Sequence, residues 1–296
     1  MERFGMIVVP GPSSTKLGGK VAEILGVRKV DVEYKNFPDG ESYLRLSEGV
    51  SDEEVALIHT TYPHPDKRIL ELLLLINTLK DLGARHITAV VPYMAYARQD
   101  SRFREGEAIS INTIFRLIEG AGADEFITVD VHKEFSLKVF GIEAKNIRAA
   151  EAIAEYLRGM DLVRPYILSP DRGALKIAQS IGERLGAEYG NFEKTRDRIS
   201  GAITVKGERV EARGRDVVIA DDLISTGGTI ASASKIVKGE GARRVIAVCT
   251  HPLLVGDALP KMRGAGVDEV IGTDTIESEV SRISVAQLIA KELSKS

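Results

Sequence analysis

Short apolar runs alternate with amphipathic stretches along almost the whole chain. The runs are rich in valine and isoleucine, which is typical of strands buried on both faces of a parallel sheet. We predict strands at GMIVVP (5–10), VALIHT (55–60), HITAVVPY (86–93), EFITVDV (125–131), PYILSP (165–170), DVVIAD (216–221), RVIAVCT (244–250) and EVIGTDT (269–275). Predicted helices cover 66–82, 110–121, 149–158, 173–185 and 229–240. This alternation predicts an α/β fold made of βαβ units.

A phrase that recurs in both halves of the chain indicates two related domains. It reads GARHITAVV from residue 83, GADEFITVD from 122, GARRVIAVC from 241 and GVDEVIGTD from 266. In each copy, glycine suits the left-handed position that ends a helix, and a strand follows. We therefore predict two α/β halves that join near residues 145–150.

The composition excludes several classes of protein. The chain has 296 residues, 44% of them apolar, and a net charge of −3, which argues against a nucleic-acid partner. A single cysteine, Cys249, allows no intrachain disulfide and suits a reducing compartment. The longest apolar stretch, ILELLLLINTL, is interrupted by Glu71 and Asn77 and is too short to span a bilayer. We expect a cytoplasmic protein with no membrane partner.

The segment VVIADDLISTGGTI (217–230) combines a strand, two carboxylates and a glycine turn before a helix. In a parallel sheet, the loop after such a strand faces the ligand crevice and leads to a helix N-terminus. Gly227 and Gly228 allow successive backbone N–H groups to point at one anion, and the neighbouring hydroxyls add donors. The turn therefore predicts a phosphate site.

The aspartates of this segment have a different role from the turn. An ionised carboxylate only accepts hydrogen bonds, so it suits the hydroxyls of a sugar diol. The segment then reads as a clamp for a phosphorylated pentose. A Walker-B strand also ends in aspartate, but no G-x-x-x-x-G-K-[ST] motif is present in the chain. An ordinary helix after a strand is the remaining alternative.

The segment resembles the ribose-5-phosphate loop of type I phosphoribosyltransferases. Further stretches resemble the ribose-phosphate pyrophosphokinase family: NFPDGESYLRL (36–46), VPYMAYARQDSRF (91–103), TVDVHKE (128–134) and SPDRGALKIA (169–178). The resemblance implies two similar phosphoribosyltransferase-like domains, each a mostly parallel sheet flanked by helices. It places them at residues 1–148, joined by 284–296, and 149–283. The implied ribose-5-phosphate ligands are Asp221, Asp222, Ser225, Thr226, Gly227, Gly228 and Thr229, together with Arg196. Many family members carry aspartate where this chain has Ser225.

Two loops inherit an ATP-binding role from this resemblance. Arg98 and Gln99 offer donors suited to phosphate or base, although a basic loop is otherwise read as a solvated charge run. FPDGE (37–41) by itself looks like a plain turn. In the family it reaches the ATP site of a neighbouring subunit, so ATP contacts are implied for Phe37, Asp39, Gly40 and Glu41. The resemblance thus implies a homo-oligomer, at least a dimer with shared ATP sites.

The metal ligands and the catalytic cations also rest on the resemblance. His132 and Asp171 each follow a predicted strand and are implied to hold Mg²⁺, a cation that needs few protein ligands. His251 occupies a comparable place and is left unassigned. FEKTRDRIS (192–200) looks like an exposed charged hairpin, but the family has a catalytic loop here with a Lys-x-Arg pattern. Lys194 and Arg196 match that pattern.

The implied reaction converts ATP and D-ribose 5-phosphate to AMP and 5-phospho-α-D-ribose 1-diphosphate. A base phosphoribosyltransferase would share the DDLISTGGT loop but would leave ARQD and VDVH without a role. A non-catalytic homologue that binds nucleotide and regulates a partner is the third possibility.

Overall fold

The computed structural model describes residues 5–102, 104–196, 203–207 and 211–295, with backbone alone at 193–196 and 203–207. The chain divides into two compact units. Unit 1 comprises Met1–Arg148 and Ser284–Ser296, and unit 2 comprises Ala149–Ile283. The helices of the described residues are too short or too polar to cross a membrane.

Unit 1 is built on a parallel sheet of six strands, in the order β2-β1-β5-β6-β7-β8. The strands are β1 (Met6–Pro10), β2 (Arg28–Lys29), β5 (Glu54–Ile58), β6 (His86–Val91), β7 (Glu125–Val129) and β8 (Glu143–Ile147). All five residues of β7 are buried, which is why its sequence is apolar without alternation. A separate antiparallel hairpin pairs β3 (Val32–Asn36) with β4 (Ser42–Leu46).

The helices of unit 1 bury one apolar stripe each. They are α1 (Thr15–Leu25), α2 (Pro65–Asp81), α3 (Ser110–Gly120) and the C-terminal α8 (Ala286–Leu293), with a 3₁₀ helix at Glu134–Val139. In α3 the buried residues Ile111, Ile114, Phe115 and Ile118 follow the spacing of one helix face. Phe115 packs on Phe140 with their ring centroids 4.4 Å apart.

Unit 2 repeats this architecture with a longer edge. Its strand order is β11-β10-β9-β12-β13-β14-β15, parallel except for the antiparallel pair β10–β11. The strands are β9 (Tyr166–Ser169), β10 (Glu188–Arg196), β11 (Ile203–Gly207), β12 (Asp216–Ile224), β13 (Arg244–Pro252), β14 (Glu269–Thr273) and β15 (Ser281–Ile283). The helices are α4 (Ala150–Arg158), α5 (Leu175–Leu185), α6 (Gly228–Gly239) and α7 (Ala258–Gly264).

The recurring glycine phrase marks the turns that the sequence predicts. Gly83, Gly122, Gly241 and Gly266 all have a positive φ, between 84° and 111°, directly before β6, β7, β13 and β14. Each predicted strand and helix is present within a few residues of its expected bounds. The elements that the pattern missed include the β3–β4 hairpin and the short helices α7 and α8, because short or exposed elements carry a weak periodic signal.

Candidate active site

The two aspartates of unit 2 lie inside a strand. We predicted that the strand ends at Asp221, but β12 continues to Ile224. The reason is its ladder with β13, which extends beyond the aspartates through Leu223 opposite His251 and Ile224 opposite Pro252. The carboxylates therefore sit on hydrogen-bonded backbone, which fixes their position more firmly than a loop does.

A left-handed glycine turns the chain from β12 into α6. Gly227 has a φ of 69° and caps α6, and a Cβ there would stand 2.9 Å from Met262 Cγ and 3.1 Å from the Ala258 carbonyl oxygen. The approach to Gly228 is open, with Thr226 Oγ1 the nearest atom at 3.9 Å. Among the described residues, no side chain makes a capping hydrogen bond at the start of α6, so the first N–H groups of the helix can bind an anion.

Hydrogen bonds from residues 255 and 261 hold the loop next to this turn. The Ser225 carbonyl accepts a hydrogen bond from the Val255 N–H at 3.0 Å. Lys261 Nζ donates to the Thr226 carbonyl at 3.2 Å. Both hydrogen bonds use carbonyl oxygens of the loop and do not involve its hydroxyl or N–H donors.

Three carboxylates lie close together at this edge of unit 2. Burial raises the pKa of Asp221 well above its ordinary value, and the charges of Asp222 and Asp171 raise it further. Asp171 follows β9 and accepts a hydrogen bond from the Gly173 N–H at 2.9 Å. Burial also raises the pKa of the Cys249 thiol, which lies opposite Asp221 in the sheet. Such a cluster favours a ligand that supplies hydroxyl donors or a cation.

In unit 1, the loop after β6 presents Arg98 and Gln99 as exposed side chains. Gln99 Oε1 accepts a hydrogen bond of 2.5 Å from the Ser110 hydroxyl at the start of α3. Tyr96 has a left-handed backbone with φ at 63°, and its hydroxyl donates to Asp66. Strained backbone of this kind is concentrated at functional sites.

His132 is exposed in the segment after β7, the strand next to β6. Asp130, two residues before it, also has a positive φ, at 39°, and its buried carboxylate pairs with Arg148 at 3.6 Å. The structure thus brings His132 to the same edge of unit 1 as Arg98 and Gln99. No group of three or more His, Cys, Asp or Glu side chains within the described ranges is arranged to hold a metal ion.

The FPDGE segment forms the tip of the β3–β4 hairpin. Phe37 accepts a hydrogen bond from Gly40 and donates one to the Glu41 carbonyl, and Asp39 Oδ1 accepts from the Glu41 N–H. Phe37 is 40% exposed and contacts Tyr43 edge to face. The plain turn that the sequence suggests is correct locally, and Lys67 of α2 donates a hydrogen bond to its Gly40 carbonyl at 3.3 Å.

The predicted catalytic cations belong to the edge hairpin of unit 2. Lys194 and Arg196 lie in β10, and their backbones pair with Val205 and Ile203 of β11. The positions of their side chains, and residues 197–202 between the strands, lie outside the described part of the structure.

Sequence reasoning missed a buried network beneath the hairpin of unit 1. Glu71 is fully buried, and it accepts hydrogen bonds of 2.6 Å from Arg68 and from Ser42 of β4. His59 Nε2 lies 3.9 Å from the same carboxylate. Glu71 interrupts an apolar stretch of α2, and that interruption is the sequence signal that could have revealed the network. In unit 2, His251 is buried, and its Nδ1 atom is hydrogen-bonded to the Thr275 hydroxyl at 2.9 Å.

Each unit contains a sheet with the same strand order, and in unit 2 a glycine turn follows two carboxylates. These features define a protein of the phosphoribosyltransferase fold class. Residues 6–122 match the family model for the N-terminal domain of ribose phosphate pyrophosphokinase, and residues 140–280 match the phosphoribosyl transferase domain. The chain belongs to the ribose-phosphate pyrophosphokinase family.

Relatives and a solved structure match nearly the full length of the chain. The ribose-phosphate pyrophosphokinase of Saccharolobus solfataricus is 42% identical over 97% of this chain and 100% of its own length. That of Sulfurisphaera tokodaii is 41% identical over 96% of this chain and 97% of its own. The crystal structure of phosphoribosylpyrophosphate synthetase from Mycobacterium smegmatis aligns with a TM-score of 0.86 and 30% identity, covering 98% of each chain.

Proposed function

We propose that the chain transfers the β,γ-diphosphoryl group of ATP to the anomeric hydroxyl of D-ribose 5-phosphate. The anomeric oxygen attacks the β-phosphorus in line, the bond between that phosphorus and the oxygen bridging to the α-phosphate breaks, and AMP leaves. The hydroxyl loses its proton in the same reaction. The observation that carries the proposal is the carboxylate pair on β12 beside the open N-terminus of α6, within a chain of this family.

The sugar phosphate is assigned to unit 2. Backbone N–H groups at Gly227 and Gly228, with the hydroxyls of Ser225, Thr226 and Thr229, hold the 5-phosphate at the positive end of α6. Asp221 and Asp222 accept hydrogen bonds from the ribose hydroxyls. The raised pKa of Asp221 supports this pairing, because a sugar diol supplies hydrogen-bond donors to two neighbouring carboxylates.

ATP is assigned to the edge of unit 1 and to a hairpin tip. Arg98 has the planar donors that suit phosphate oxygens, and Gln99, held by Ser110, can both donate and accept. Phe37, Asp39, Gly40 and Glu41 serve the ATP site of another copy of the chain. The aromatic ring of Phe37, 40% exposed at the hairpin tip, supports that assignment. The protein then works as a homo-oligomer, at least a dimer.

The residues at the two edges fit Mg²⁺ as a resident cation. Asp171 offers hard carboxylate oxygen beside two further carboxylates, a repulsion that a divalent cation relieves. His132 and Asp171 are each assigned as Mg²⁺ ligands, and waters and substrate phosphates would complete the coordination. When bound, Mg²⁺ neutralises charge on the phosphate oxygens.

Lys194 and Arg196 are assigned to the transition state. Phosphoryl-type transfer needs little covalent chemistry from the protein, so the rate depends on positioning and on the neutralisation of growing charge. Cations that stabilise that charge raise kcat without tightening the ground-state complex.

The test of the proposed function is product identity. The purified protein is incubated with ATP, ribose 5-phosphate and Mg²⁺, and nucleotides are separated by chromatography. We expect stoichiometric AMP and no ADP, with no reaction when the sugar phosphate is omitted. Pyrophosphate release from 5-phosphoribosyl 1-diphosphate and a nucleobase, without AMP formation from ATP, would instead identify a base phosphoribosyltransferase.

A further inference from the structure

An ion pair between a buried carboxylate and a partly exposed lysine joins the two segments of unit 1 that carry the ATP and metal assignments. The side chain of Asp100, directly after Gln99, is 1% exposed. Lys133 Nζ lies 3.0 Å from its Oδ2 atom and 3.3 Å from its Oδ1 atom, and the Ser101 hydroxyl donates to Oδ1 at 3.1 Å. Lys133 directly follows His132. A buried carboxylate of this kind needs a cation, because an unpaired buried charge is costly.

The lysine is itself fixed in the segment after β7. Its carbonyl accepts a hydrogen bond of 2.7 Å from the Ser136 hydroxyl in the 3₁₀ helix. Its ammonium group lies 5.9 Å from the ring centroid of Phe135. The backbone of Lys133 therefore belongs to the His132 segment, while its charge is committed to the loop after β6.

Two other side chains of the loop after β6 bond elsewhere, since Tyr96 bonds to α2 and Gln99 to α3. Arg148 pairs with Asp130 and Glu134 and so acts only within the His132 side of the edge. Loss of the Lys133 ammonium would remove the ion pair that links the two segments beyond the ladder between β6 and β7.

We infer that Lys133 is a positioning residue, which fixes the position of the ATP-binding loop relative to the metal-binding segment. This inference deepens the proposed function and rests on the roles given there to Arg98, Gln99 and His132. Lys133 acts through Asp100 rather than on the substrate. Its effect therefore falls on nucleotide and metal affinity together, and not on the sugar phosphate.

The experiment measures ATP binding by isothermal titration calorimetry at several Mg²⁺ concentrations, alongside KM for both substrates and the melting temperature. We expect Lys133→Ala to weaken ATP binding by about 10–100-fold, the usual cost of losing a partner that orients a ligand, with KM for ribose 5-phosphate within twofold. Lys133→Arg keeps the charge and should recover most of the affinity. Lys138→Ala removes the same charge at an exposed position of the 3₁₀ helix and serves as the matched control.

A double variant separates positioning from stability. Asp100→Leu with Lys133→Met replaces the ion pair with apolar side chains, which commonly restores stability but provides no hydrogen-bonded link. We expect a melting temperature near that of the wild type and ATP affinity as low as in Lys133→Ala. Recovery of ATP affinity in the double variant, or an affinity within twofold of wild type in Lys133→Ala, would overturn the inference.

The binding measurement also distinguishes a failure of this inference from a failure of the proposed function. If the wild-type protein bound ATP but formed no AMP, the proposed function would fail while the dependence of binding on Lys133 could still be read. If AMP formed normally and no variant changed ATP binding, only the role of Lys133 would fail.

Discussion

The two units share a strand order, but the residues at the carboxyl ends of their central strands differ in burial and in hydrogen bonding. Strand β5 of unit 1 and β12 of unit 2 occupy the same place, each third in the order that begins with β2 or β10. β12 carries two carboxylates and leads through glycine into α6. After β5, His59, Thr60 and Thr61 are fully buried and bonded to their neighbours.

The start of the following helix explains the chemical difference. α6 begins at a glycine with open N–H groups, whereas α2 begins at Pro65, which has no N–H to offer. The Thr60 N–H of unit 1 is already used by Ser14, at 2.9 Å. One architecture thus yields an anion cradle in unit 2 and a closed, hydrogen-bonded edge in unit 1. Unit 1 instead places its polar side chains after the next two strands, β6 and β7.

The outer edges of the two sheets differ as well. β2 of unit 1 has two residues, while its counterpart β10 has nine and pairs with β11. The extension carries Lys194. We expect Lys194→Ala to lower kcat by about 10²–10³-fold, because a charge partner of the transition state is lost, with melting temperature unchanged. Steady-state assays of AMP formation measure this. Lys206→Ala on the partner strand is the control, and unchanged turnover in Lys194→Ala would remove that lysine from the mechanism.

Closing the cradle of unit 2 should make it resemble unit 1. We expect Gly227→Ala to weaken ribose 5-phosphate binding roughly 100-fold, or about 3 kcal/mol, because a left-handed alanine is strained and its Cβ meets Met262. Calorimetric titration with the sugar phosphate gives the affinity. Gly256 has a similar φ of 63° with nothing within 4 Å of a Cβ, so Gly256→Ala tests backbone strain alone. Equal losses in both variants would show that the close approach at Gly227 is irrelevant.

Much of this comparison could be predicted from the sequence. The βαβ pattern and the glycine phrase depend on local periodicity and turn geometry, so the strands, the helices and the turn at Gly227 followed from them. The continuation of β12 past Asp221 did not, because it depends on pairing with the distant strand β13. The same holds for Lys133 and Asp100, since charged residues separated along the chain give no sign of pairing.

We expect the carboxylate cluster of unit 2 to lower the stability of the ligand-free protein and to increase its affinity for ribose 5-phosphate. A raised carboxyl pKa means that the folded state loses stability as pH rises from the unfolded value toward the folded one. We therefore expect Asp221→Asn to raise the melting temperature of the ligand-free protein at pH 7. Its affinity for ribose 5-phosphate should fall about tenfold or more, since charged hydrogen bonds contribute roughly 1.5–3 kcal/mol. Calorimetry at pH 4 and pH 7 measures both. A lower melting temperature at pH 7 would contradict this account of the cluster.

The β3–β4 hairpin of unit 1 is tied to α2 by hydrogen bonds from Ser42 to Glu71 and from Lys67 to Asn36 and the Gly40 carbonyl. We expect Ser42→Ala to raise KM for ATP roughly threefold to tenfold, because the bond from Ser42 to the buried Glu71 carboxylate is lost. KM for ribose 5-phosphate should not change. Ser47, whose hydroxyl accepts from the Asp31 N–H, lies at the far end of the hairpin from the tip, so Ser47→Ala is the matched control. Equal effects on both substrates would show a general loss of structure instead.

The closed edge of unit 1 depends on a neutral His59. Burial lowers the pKa of His59 to about 4, while nearby Glu71 partly opposes this shift. The Arg68 carbonyl can only accept, so Nε2 carries the proton in the 3.0 Å bond between them. Between about pH 6.5, the ordinary pKa of histidine, and about pH 4, His59 is protonated in the unfolded chain but neutral in the folded protein. The free energy of unfolding therefore decreases as the pH falls through this range.

This acid sensitivity gives the smallest of the expected effects. We expect unit 1 to lose about 1 kcal/mol between pH 7.5 and pH 5.5 through His59. Hydrogen exchange followed by mass spectrometry can assign the loss to peptides of β5 and α2, since Asp221 acts on unit 2 in the opposite direction. In His59→Asn this pH-dependent part should disappear, whatever the variant costs at neutral pH. His64→Asn removes an exposed histidine at the cap of α2 and should leave the pH dependence as it is. An unaltered acid response in His59→Asn would mean that the closure of this edge does not depend on a neutral imidazole.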